Sequence, residues 1–301
     1  MKKSIYFLIA VFTFVCKPSL SQPPKDFNAY WYAGDAEITS YELEQVRYGE
    51  IHNGNAVLIF VTEPFSKSKQ VKLDNWRNGG EDNVSVLKLN MTKKFLTGIY
   101  PYSMMMSTFT PVSYNQHPQI LKVTTSSQEW CGHTWMQLNP ENENYRLKGF
   151  SYFESEGDVN EQITCTMVED ELWTRIRLSP SDLPTGEVQM LPSTFYLRLS
   201  HRENKVREAI TKLSSISASE YAEQPHQLYE IAYDNRSLKI YFEETFPHVI
   251  LGWEETYTSG FGNANKMTTK AKRINMIKSS YWTKNSNTDR KIRQRLGLST
   301  D

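Results

Sequence analysis

The sequence predicts a mainly β protein, α+β at most: an antiparallel curved sheet or half-barrel of meanders and hairpins with one or two peripheral helices. Two observations support this class. Apolar residues alternate with polar ones along many short segments, which is the period of a strand with one buried face. Turn-forming residues separate these segments at short intervals.

The chain of 301 residues is long enough for one large core or two modest ones. Residues 179–192 hold three prolines and a glycine, a composition typical of a boundary. We therefore expect an N-terminal antiparallel β half over residues 22–178. A C-terminal β half with one helix and a basic tail is expected over residues 193–301. The alternative is one continuous domain.

The first 21 residues have the pattern of a secretory signal peptide. Lys2 and Lys3 form a basic start, residues 5–15 are apolar, and residues 19–21 read Ser-Leu-Ser before the expected cleavage site. The apolar stretch is too short to span a bilayer as a helix. We therefore expect an exported protein of the periplasm or cell envelope. The alternative is a lipoprotein anchored through Cys16, which directly follows the apolar stretch.

The formal net charge of zero hides an uneven distribution of charge. Residues 266–301 carry ten Lys and Arg against two Asp, which leaves residues 22–265 strongly acidic. This basic tail is expected to contact the acidic body, anionic lipid or another anionic partner. A solvated basic strand and helix is the alternative. Nucleic acid is not expected as a partner, because an exported protein meets little of it.

The first half begins with a predicted hairpin. Residues 37–48 are predicted as a strand with Tyr41 and Leu43 on one face. Residues 52–55, His-Asn-Gly-Asn, are typical of a hairpin turn because Asn-Gly tolerates positive φ. The return strand at residues 56–61 is wholly apolar, which indicates burial on both faces and a central place in the sheet.

A meander is predicted to follow. Residues 122–137 are expected to form one strand, and shorter strands are expected at residues 147–153, 163–168 and 172–178. The acidic loop within it holds Glu154, Glu156, Asp158 and Glu161. This spacing does not fit a calcium loop, so we interpret the loop as a solvated hairpin tip.

The second half is predicted to contain strands and one clear helix. Strands are expected at residues 195–199, 228–233, 238–242 and 270–282. Residues 203–214 are predicted as a helix because Val206, Ile210 and Leu213 recur at helical spacing. A short basic helix is expected at residues 289–296.

Glu129, Cys131 and His133 form the most specific candidate site in the sequence. On a single strand these three alternate residues share one face. A thiol beside an imidazole can act as a nucleophile and its base, with a carboxylate that orients the base. Neighbouring side chains on one face of a flat strand stand roughly 6.5–7 Å apart, so a direct thiol–imidazole bond requires a bulge.

Cys131 and Cys165 are the two cysteines that remain after the expected cleavage. In an oxidising compartment a lone pair of cysteines usually bonds, so a disulfide between them is predicted. The meander favours this bridge if the two residues lie on neighbouring strands. A free Cys131 that acts as a nucleophile or a metal ligand is the alternative.

An apolar and aromatic ligand face is predicted from two groups of residues. Met104, Met105 and Met106 form a run of adaptable apolar side chains. The tryptophans expected to join them are Trp31, Trp130 and Trp135. The alternative is that these side chains simply fill the core.

The sequence contains no phosphate loop, no dinucleotide glycine fingerprint, no Gly-x-Ser-x-Gly elbow and no His-Glu-x-x-His. We therefore expect no cofactor and no metal.

The segments YGEIHNGNAVLIFVTE, TKKFLTGIYPYSMM, SSQEWCGHTW and FPHVILGWEE together resemble a family of uncharacterised exported bacterial proteins. The resemblance covers nearly all of the mature chain, and it implies export but no activity for any residue. Members are sometimes labelled "septum formation inhibitor Maf". Maf proteins are cytoplasmic pyrophosphatases with a Ser-x-Arg-Arg motif that this chain lacks, so the label is unsupported. The layout also resembles, more loosely, periplasmic half-barrels that carry lipoproteins or lipids.

Three functions are consistent with these patterns. The leading expectation is a non-enzymatic envelope protein that binds an apolar or glycan ligand, or a protein partner, on a sheet face. The second is a hydrolase that uses Cys131 with His133. The third is a structural subunit of an envelope assembly, with the basic tail as its contact.

Overall fold

The structure is a computed structural model that describes residues 26–114, 116–154, 156–260 and 264–299. Sixteen strands and a few short helices lie within these ranges, so the predicted mainly β class is confirmed. The predicted signal peptide, with Lys2, Lys3 and Cys16, lies outside the described residues. None of the described helices is long and apolar enough to cross a membrane.

Nine of the described strands lie before Cys165 and seven lie after it. The first nine are β1 (Ala36–Arg47), β2 (Glu50–Ser66), β3 (Val71–Lys72), β4 (Asn83–Thr97), β5 (Tyr100–Pro111), β6 (Lys122–Glu129), β7 (Gly132–Glu141), β8 (Asn144–Ser151) and β9 (Val159–Thr164). The others are β10 (Met167–Val168), β11 (Gly186–Leu191), β12 (Arg207–Ile216), β13 (His226–Tyr233), β14 (Arg236–Glu243), β15 (Ile250–Ser259) and β16 (Asn265–Ser279).

The helices are short. They are α1 (Phe27–Trp31), α2 (Leu172–Leu178), α3 (Thr194–Ser200) and α4 (Lys291–Arg295). Single 3₁₀ turns lie at Trp76–Asn78, Gly80–Asp82, Glu169–Glu171, Pro180–Asp182, Tyr281–Thr283 and Asn287–Arg290.

One sheet contains all of the described strands. Its order is β10-β11-β12-β13-β14-β15-β16-β1-β2-β4-β5-β6-β7-β8-β9, with β3 paired to the side of β2. Neighbours are antiparallel except β10 and β11, which are parallel. Only Cys165 and Thr166 separate the end of β9 from the start of β10. The two edges therefore lie close together and the sheet curls around an inner face. We call the gap between β9 and the β10–β11 edge the seam.

The inner face holds the largest apolar cluster. Tyr41 of β1, Leu58 of β2, Leu89 of β4 and Trp253 of β15 are buried there. Alternate residues of the strands point inward, and removing their apolar surface from water stabilises the sheet. The central place predicted for residues 56–61 is confirmed, because β2 pairs with β1 on one side and with β4 on the other.

Charged residues on α2 and just before it are buried in the interior. The 3₁₀ turn before it and α2 itself carry five charged residues, all of them buried. Asp170 accepts hydrogen bonds from the Thr194 backbone N–H (3.0 Å) and from Thr194 Oγ1 (2.6 Å), which joins this turn to the start of α3. Burial raises the pKa of Asp170 to about 6 and that of Glu171 to about 7.

Lys93, Glu169, Tyr233, Arg236 and Glu255 form a sealed network that we call the inner charge cluster. Arg236 donates to Glu169 from Nη1 (2.7 Å) and Nη2 (2.6 Å), and to Glu255 from Nε (2.9 Å). Lys93 Nζ lies 3.9 Å from Glu255 Oε2, and the Tyr233 hydroxyl donates to Glu169 at 2.8 Å. All five side chains are buried. A cavity of about 20 Å³ beside them has room for one water molecule.

The pKa values in this cluster follow from burial and charge pairing. Burial favours the neutral form of Glu255, but the charges of Arg236 and Lys93 outweigh it and lower the pKa of this carboxyl. Burial lowers the pKa of Lys93 in spite of Glu255. A second sealed pair lies nearby, where both Nη atoms of Arg177 donate to the two oxygens of Glu37.

The helix predicted at residues 203–214 is wrong, because most of this segment forms β12. Its backbone pairs with β11 and β13. Ala209 and Thr211 are buried, whereas Ile210 between them is 63% exposed. Burial therefore follows period two, and the helical spacing of the apolar residues did not decide the structure.

Two predicted strands are helices. Residues 172–178 form α2, and residues 195–199 lie within α3. Both segments are apolar enough to form either a strand or a helix. They lie inside the curved sheet, and the edges of this sheet are already paired or close together. The hairpin predicted over residues 228–242 is confirmed as β13 and β14.

The first hairpin turn lies earlier than predicted. Strand β2 runs through residues 52–55, and β1 and β2 are joined at Tyr48 and Gly49, both with positive φ. Gly54 serves a different purpose, because a Cβ atom there would lie 2.1 Å from the Lys94 carbonyl oxygen. The glycine therefore allows a close approach of strand β4.

Most of the basic tail is part of the fold. Strand β16 lies between β15 and β1 in the middle of the sheet. Ile292, Leu296 and Leu298 then pack on an outer apolar cluster that includes Ile38 and Val57. Contact of the tail with an anionic surface stays a prediction.

Candidate functional site

The predicted nucleophilic site does not assemble. Residues 122–137 do not form one strand, because β6 ends at Glu129 and β7 begins at Gly132. In this hairpin Glu129 is buried on the inner face, whereas His133 opposes the exposed Gln128 on the outer face. Cys131 lies at the tip between them. The alternation predicted for one continuous strand is therefore broken by the turn.

The environment of Cys131 also disfavours a thiolate. Glu129 Oε2 accepts a hydrogen bond from the Cys131 backbone N–H at 2.6 Å. A hydrogen bond between the Cys131 thiol and this carboxylate, together with the charge of the carboxylate, raises the pKa of the thiol. An activated cysteine needs the opposite shift.

The predicted disulfide between Cys131 and Cys165 is wrong, since both residues are free. Cys131 precedes β7, whereas the Cys165 backbone N–H bonds to Glu143 beyond the other end of β7. The ten residues of β7 place the two cysteines roughly 30 Å apart. A disulfide needs Cα atoms within about 7 Å.

The predicted ligand face is divided between the two sides of the sheet. Met104 and Met106 are buried on the inner face, and Met105 between them is outside. Met105, Ser126, Trp135 and Phe150 form a row across the outer face of β5 to β8. The remaining two tryptophans are at separate places: Trp31 is buried in α1, and Trp130 is exposed at the tip that carries Cys131.

A concave site is present elsewhere, at the seam. A groove of about 670 Å³ lies between the inner face of β7 to β9 and the end of α3 with residues 201–205. We call it the seam groove. Of the six predicted ligand residues only Trp135 borders it, and the side chain of this residue is on the outer face of the sheet. Its volume lies in the range of small-molecule sites in proteins, about 300–1,000 Å³.

One wall of the seam groove is apolar. Met136 of β7 and Val159 of β9 lie in one row across the sheet, with Gly149 of β8 between them. Leu197 of α3 and Ile163 of β9 continue this wall. Gly149 leaves the groove its space at this point, because a Cβ atom there would lie 2.7 Å from Val159 Cγ2.

The other end of the groove is polar and is centred on the groove charge cluster, which we define as Glu156, Arg198 and His201. Glu156 Oε1 accepts hydrogen bonds from Arg198 Nη1 (2.7 Å) and His201 Nδ1 (2.6 Å). Glu156 Oε2 accepts a hydrogen bond from the Ser151 hydroxyl at 2.7 Å. Both oxygens of this carboxylate are therefore occupied.

Arg198 is fixed by three further features. Its Nε donates to Thr134 Oγ1 at 3.0 Å, and its guanidinium carbon lies 4.9 Å from the centre of the Phe153 ring. Its side chain is only 8% exposed. These contacts hold a cation in one orientation at the groove wall.

The backbone at the end of α3 positions His201. This residue ends the helix in the left-handed conformation (φ 51°), and its N–H bonds to the Leu197 carbonyl. A non-glycine residue in this region costs free energy and persists only where its surroundings fix it. Here the hydrogen bond to Glu156 fixes His201. Because Nδ1 carries the hydrogen that Glu156 accepts, Nε2 is free to accept another hydrogen bond.

The pKa of Glu156 is lowered. Burial favours the neutral carboxyl, but the hydrogen bonds from His201 and Ser151 and the charge of Arg198 outweigh it. The cluster therefore keeps an ionised carboxylate between two donors at neutral pH. No group of His, Cys, Asp and Glu side chains suited to a metal ion is found among the described residues.

Sequence reasoning missed the groove charge cluster. Glu156 was assigned to a solvated acidic loop, but it is paired and only partly exposed. Arg198 and His201 are 42 and 45 positions further along the chain. The helical spacing of Leu197 and His201 was the available signal, and it was hidden because residues 195–199 were predicted as a strand.

No protein-family model matches the sequence, and no curated protein matches it. One solved structure that is similar to this chain is a β-barrel-like protein of domain of unknown function DUF1849 from Brucella abortus. The identity is 9% and the TM-score is 0.46, over 81% of this chain and 97% of that chain. The resemblance of the sequence to an exported family stays a prediction.

Proposed function

We propose that this protein is a non-enzymatic binding protein that holds an amphipathic ligand in the seam groove. The observation that carries the proposal is a groove of about 670 Å³ with an apolar wall beside a fixed polar cluster. Concave, largely preformed sites with a few placed polar groups are typical of small-molecule binding. The apolar part of the ligand would lie against Met136, Val159 and Ile163, and its polar end would meet Arg198 and His201.

Export is part of the proposal. The basic start, the apolar residues 5–15 and the small residues 19–21 support a function in the periplasm or cell envelope. In that compartment amphipathic molecules are common constituents of membranes. Fractionation of the native host, with mass determination of the mature chain, tests this part of the proposal. A full-length chain in the cytoplasmic fraction would refute it.

The other expected functions receive less support. A hydrolase based on Cys131 would need His133 on the same face and a thiol of lowered pKa, and neither is found. An envelope subunit that uses the basic tail as its contact stays a prediction, because β16 is part of the sheet whereas Lys284, Arg290 and Lys291 after it are exposed.

The experiment that tests ligand binding compares two neighbouring substitutions on β9. Val159→Trp places a large ring in the groove, because Val159 lines it. Asn160→Trp places the same ring on the opposite face of the strand, outside the groove lining. Native mass spectrometry of protein purified without detergent should show bound amphiphile on the wild type and on Asn160→Trp, and little on Val159→Trp.

Titration with a dodecyl amphiphile gives the quantitative form of this test. We expect Val159→Trp to weaken binding at least about tenfold, since the ring occupies volume that the ligand needs. Equal binding by both variants, or no binding of any amphiphile by the wild type, would refute the proposal. Circular dichroism of each variant confirms that the sheet has formed.

A further inference from the structure

The polar end of the seam groove has hydrogen-bond donors that the protein does not use. Arg198 Nη2 makes no hydrogen bond to any described residue, although the side chain is more than nine-tenths buried. Arg202, at the border of the groove, also bonds to none of the described side chains. Arg198 Nη2 is not sealed from solvent, so it is a donor at the groove wall that an acceptor from a ligand can take over from water.

The carboxylate at the centre of this end is already occupied. Glu156 uses both oxygens on Arg198, His201 and Ser151. At the groove border, Lys205 is paired with Glu203 at 2.7 Å, and Asn204 donates to Glu161 at 3.4 Å. The carboxylates Glu156, Glu161 and Glu203 offset the charges of Arg198, Arg202 and Lys205 in the groove lining. Of these three cations, Arg198 and Lys205 are paired with carboxylates, whereas Arg202 pairs with no described carboxylate.

We infer that the polar end of the seam groove binds an anionic head group, a carboxylate or a phosphate, and that the ligand is therefore an anionic amphiphile. The inference rests on the proposed function, and it names the class of ligand. The head group accepts hydrogen bonds from Arg198 Nη2 and Arg202, and its chain lies along the apolar wall. A cationic head would add only donors and would repel the guanidinium groups, and a neutral glycan head would bring no charge to pair with Arg202, so an anionic head fits these groups best.

Four amphiphiles with the same dodecyl chain test the inference by isothermal titration calorimetry below their micelle concentrations. They are dodecanoate, dodecyl phosphate, dodecyl maltoside and dodecyltrimethylammonium. We expect at least one anionic amphiphile to bind about tenfold more tightly than the maltoside, and the cation to bind most weakly. The ratio of dodecanoate to dodecyl phosphate affinity then tells whether the head is a carboxylate or a phosphate.

The outcomes separate this inference from the proposed function. If the maltoside or the cation binds as tightly as both anions, the inference is wrong and the proposed function stands. If none of the four binds, both are wrong. A preference for the anions that disappears at high salt, together with weak binding of all four, would also overturn the inference, because it would indicate surface attraction only.

Variants at the open donors sharpen the test. Arg198→Met should weaken binding of the anions about tenfold, clearly more than it weakens binding of the maltoside, and Arg198→Lys should restore part of the loss. Arg202 is exposed and bonds to no described side chain, so Arg202→Met should fold normally and weaken anion binding about threefold. Arg207→Met is the matched control, since Arg207 pairs with Asp234 outside the groove lining. Equal loss for anions and maltoside in both Arg198→Met and Arg202→Met would overturn the inference.

Discussion

The inner charge cluster and the groove charge cluster are built from the same parts. Each has an arginine that pairs with a glutamate and lies against an aromatic ring. The guanidinium carbon of Arg236 lies 4.5 Å from the Tyr196 ring centre, and that of Arg198 lies 4.9 Å from the Phe153 ring centre. The two clusters are separated by α3, which carries both Tyr196 and Arg198.

The difference between them is the number of donors left open. Arg236 uses Nε, Nη1 and Nη2 on buried carboxylates. Arg198 uses Nε and Nη1 and leaves Nη2 without a described partner. A sealed and satisfied network stabilises one packing of the interior, whereas an unsatisfied donor beside a groove can bind something that is not part of the chain. Comparable chemistry thus serves structure in one place and, in the function that we propose, ligand binding in the other.

The largest effect expected from this comparison is on stability. Arg236→Met leaves Glu169 and Glu255 buried without their main partner, so the free energy of unfolding should fall by about 3–5 kcal/mol. Arg198→Met should cost about 1–2 kcal/mol, because Glu156 keeps contact with water. Urea unfolding followed by fluorescence measures both.

Arg207→Met is the control for this pair of variants. Its partner Asp234 is largely exposed and 3.7 Å away, so the loss should be less than about 1 kcal/mol. If Arg236→Met proves no more costly than Arg198→Met, the inner cluster is not the sealed structural element described above.

A smaller effect is expected from pH. Burial raises the pKa of Asp170 from 3.8 to about 6, so the folded state binds this proton more tightly than the unfolded chain. Its stabilising contribution is complete below about pH 4 and is lost as the pH rises through 6. Relative to Asp170→Asn, the wild type should therefore lose about 2–3 kcal/mol of unfolding free energy between pH 4 and pH 7.

Unfolding of both proteins in urea across this pH range measures the difference. Glu171→Gln should show a similar step centred at higher pH, because burial raises the pKa of Glu171 to about 7. A difference between wild type and Asp170→Asn that does not change with pH would contradict the assignment of burial as the dominant cause.

The smallest effect is expected at Cys131, which belongs to neither cluster. Cys131→Ser should leave both the free energy of unfolding and amphiphile binding unchanged, because the thiol is free, exposed and outside the groove lining. Alkylation of the exported wild-type protein without reductant should add two groups to the mature chain. Protein that adds none would restore the predicted bridge to Cys165.

The sequence was sufficient to predict the class of fold, because the period of two is a direct consequence of strand geometry. It placed the hairpin at residues 228–242 and the central strand at residues 56–61 correctly. The prediction from sequence failed where one sequence pattern can have two physical causes. Asn53-Gly54 suggested a turn, but Gly54 is needed for the close approach of Lys94. The tip at Trp130 and Cys131 has no Asn-Gly signal, so a hairpin was interpreted as one strand.

The site was harder to predict than the fold. Arg198 and Glu156 meet only because β8, the loop after it and α3 converge at the seam. No local pattern records that meeting, since the residues are 42 positions apart. Charged side chains on an apparently exposed loop are usually solvated, and only the three-dimensional structure shows which of them are buried and paired.

The order of strands in the sheet has a consequence for the connectivity of the chain. Ala36 and Ser279, at the outer ends of β1 and β16, lie opposite each other in the ladder. If a short linker joined them and the chain were opened between Cys165 and Thr166, the strands would follow one another along the chain in the order in which they lie in the sheet. This circular permutant would replace the longest-range strand pairing with a local one, and a lower contact order favours faster folding. The strands thus have the same cyclic order in the chain and in the sheet. The chain begins this order at β1, whereas the sheet begins it at β10.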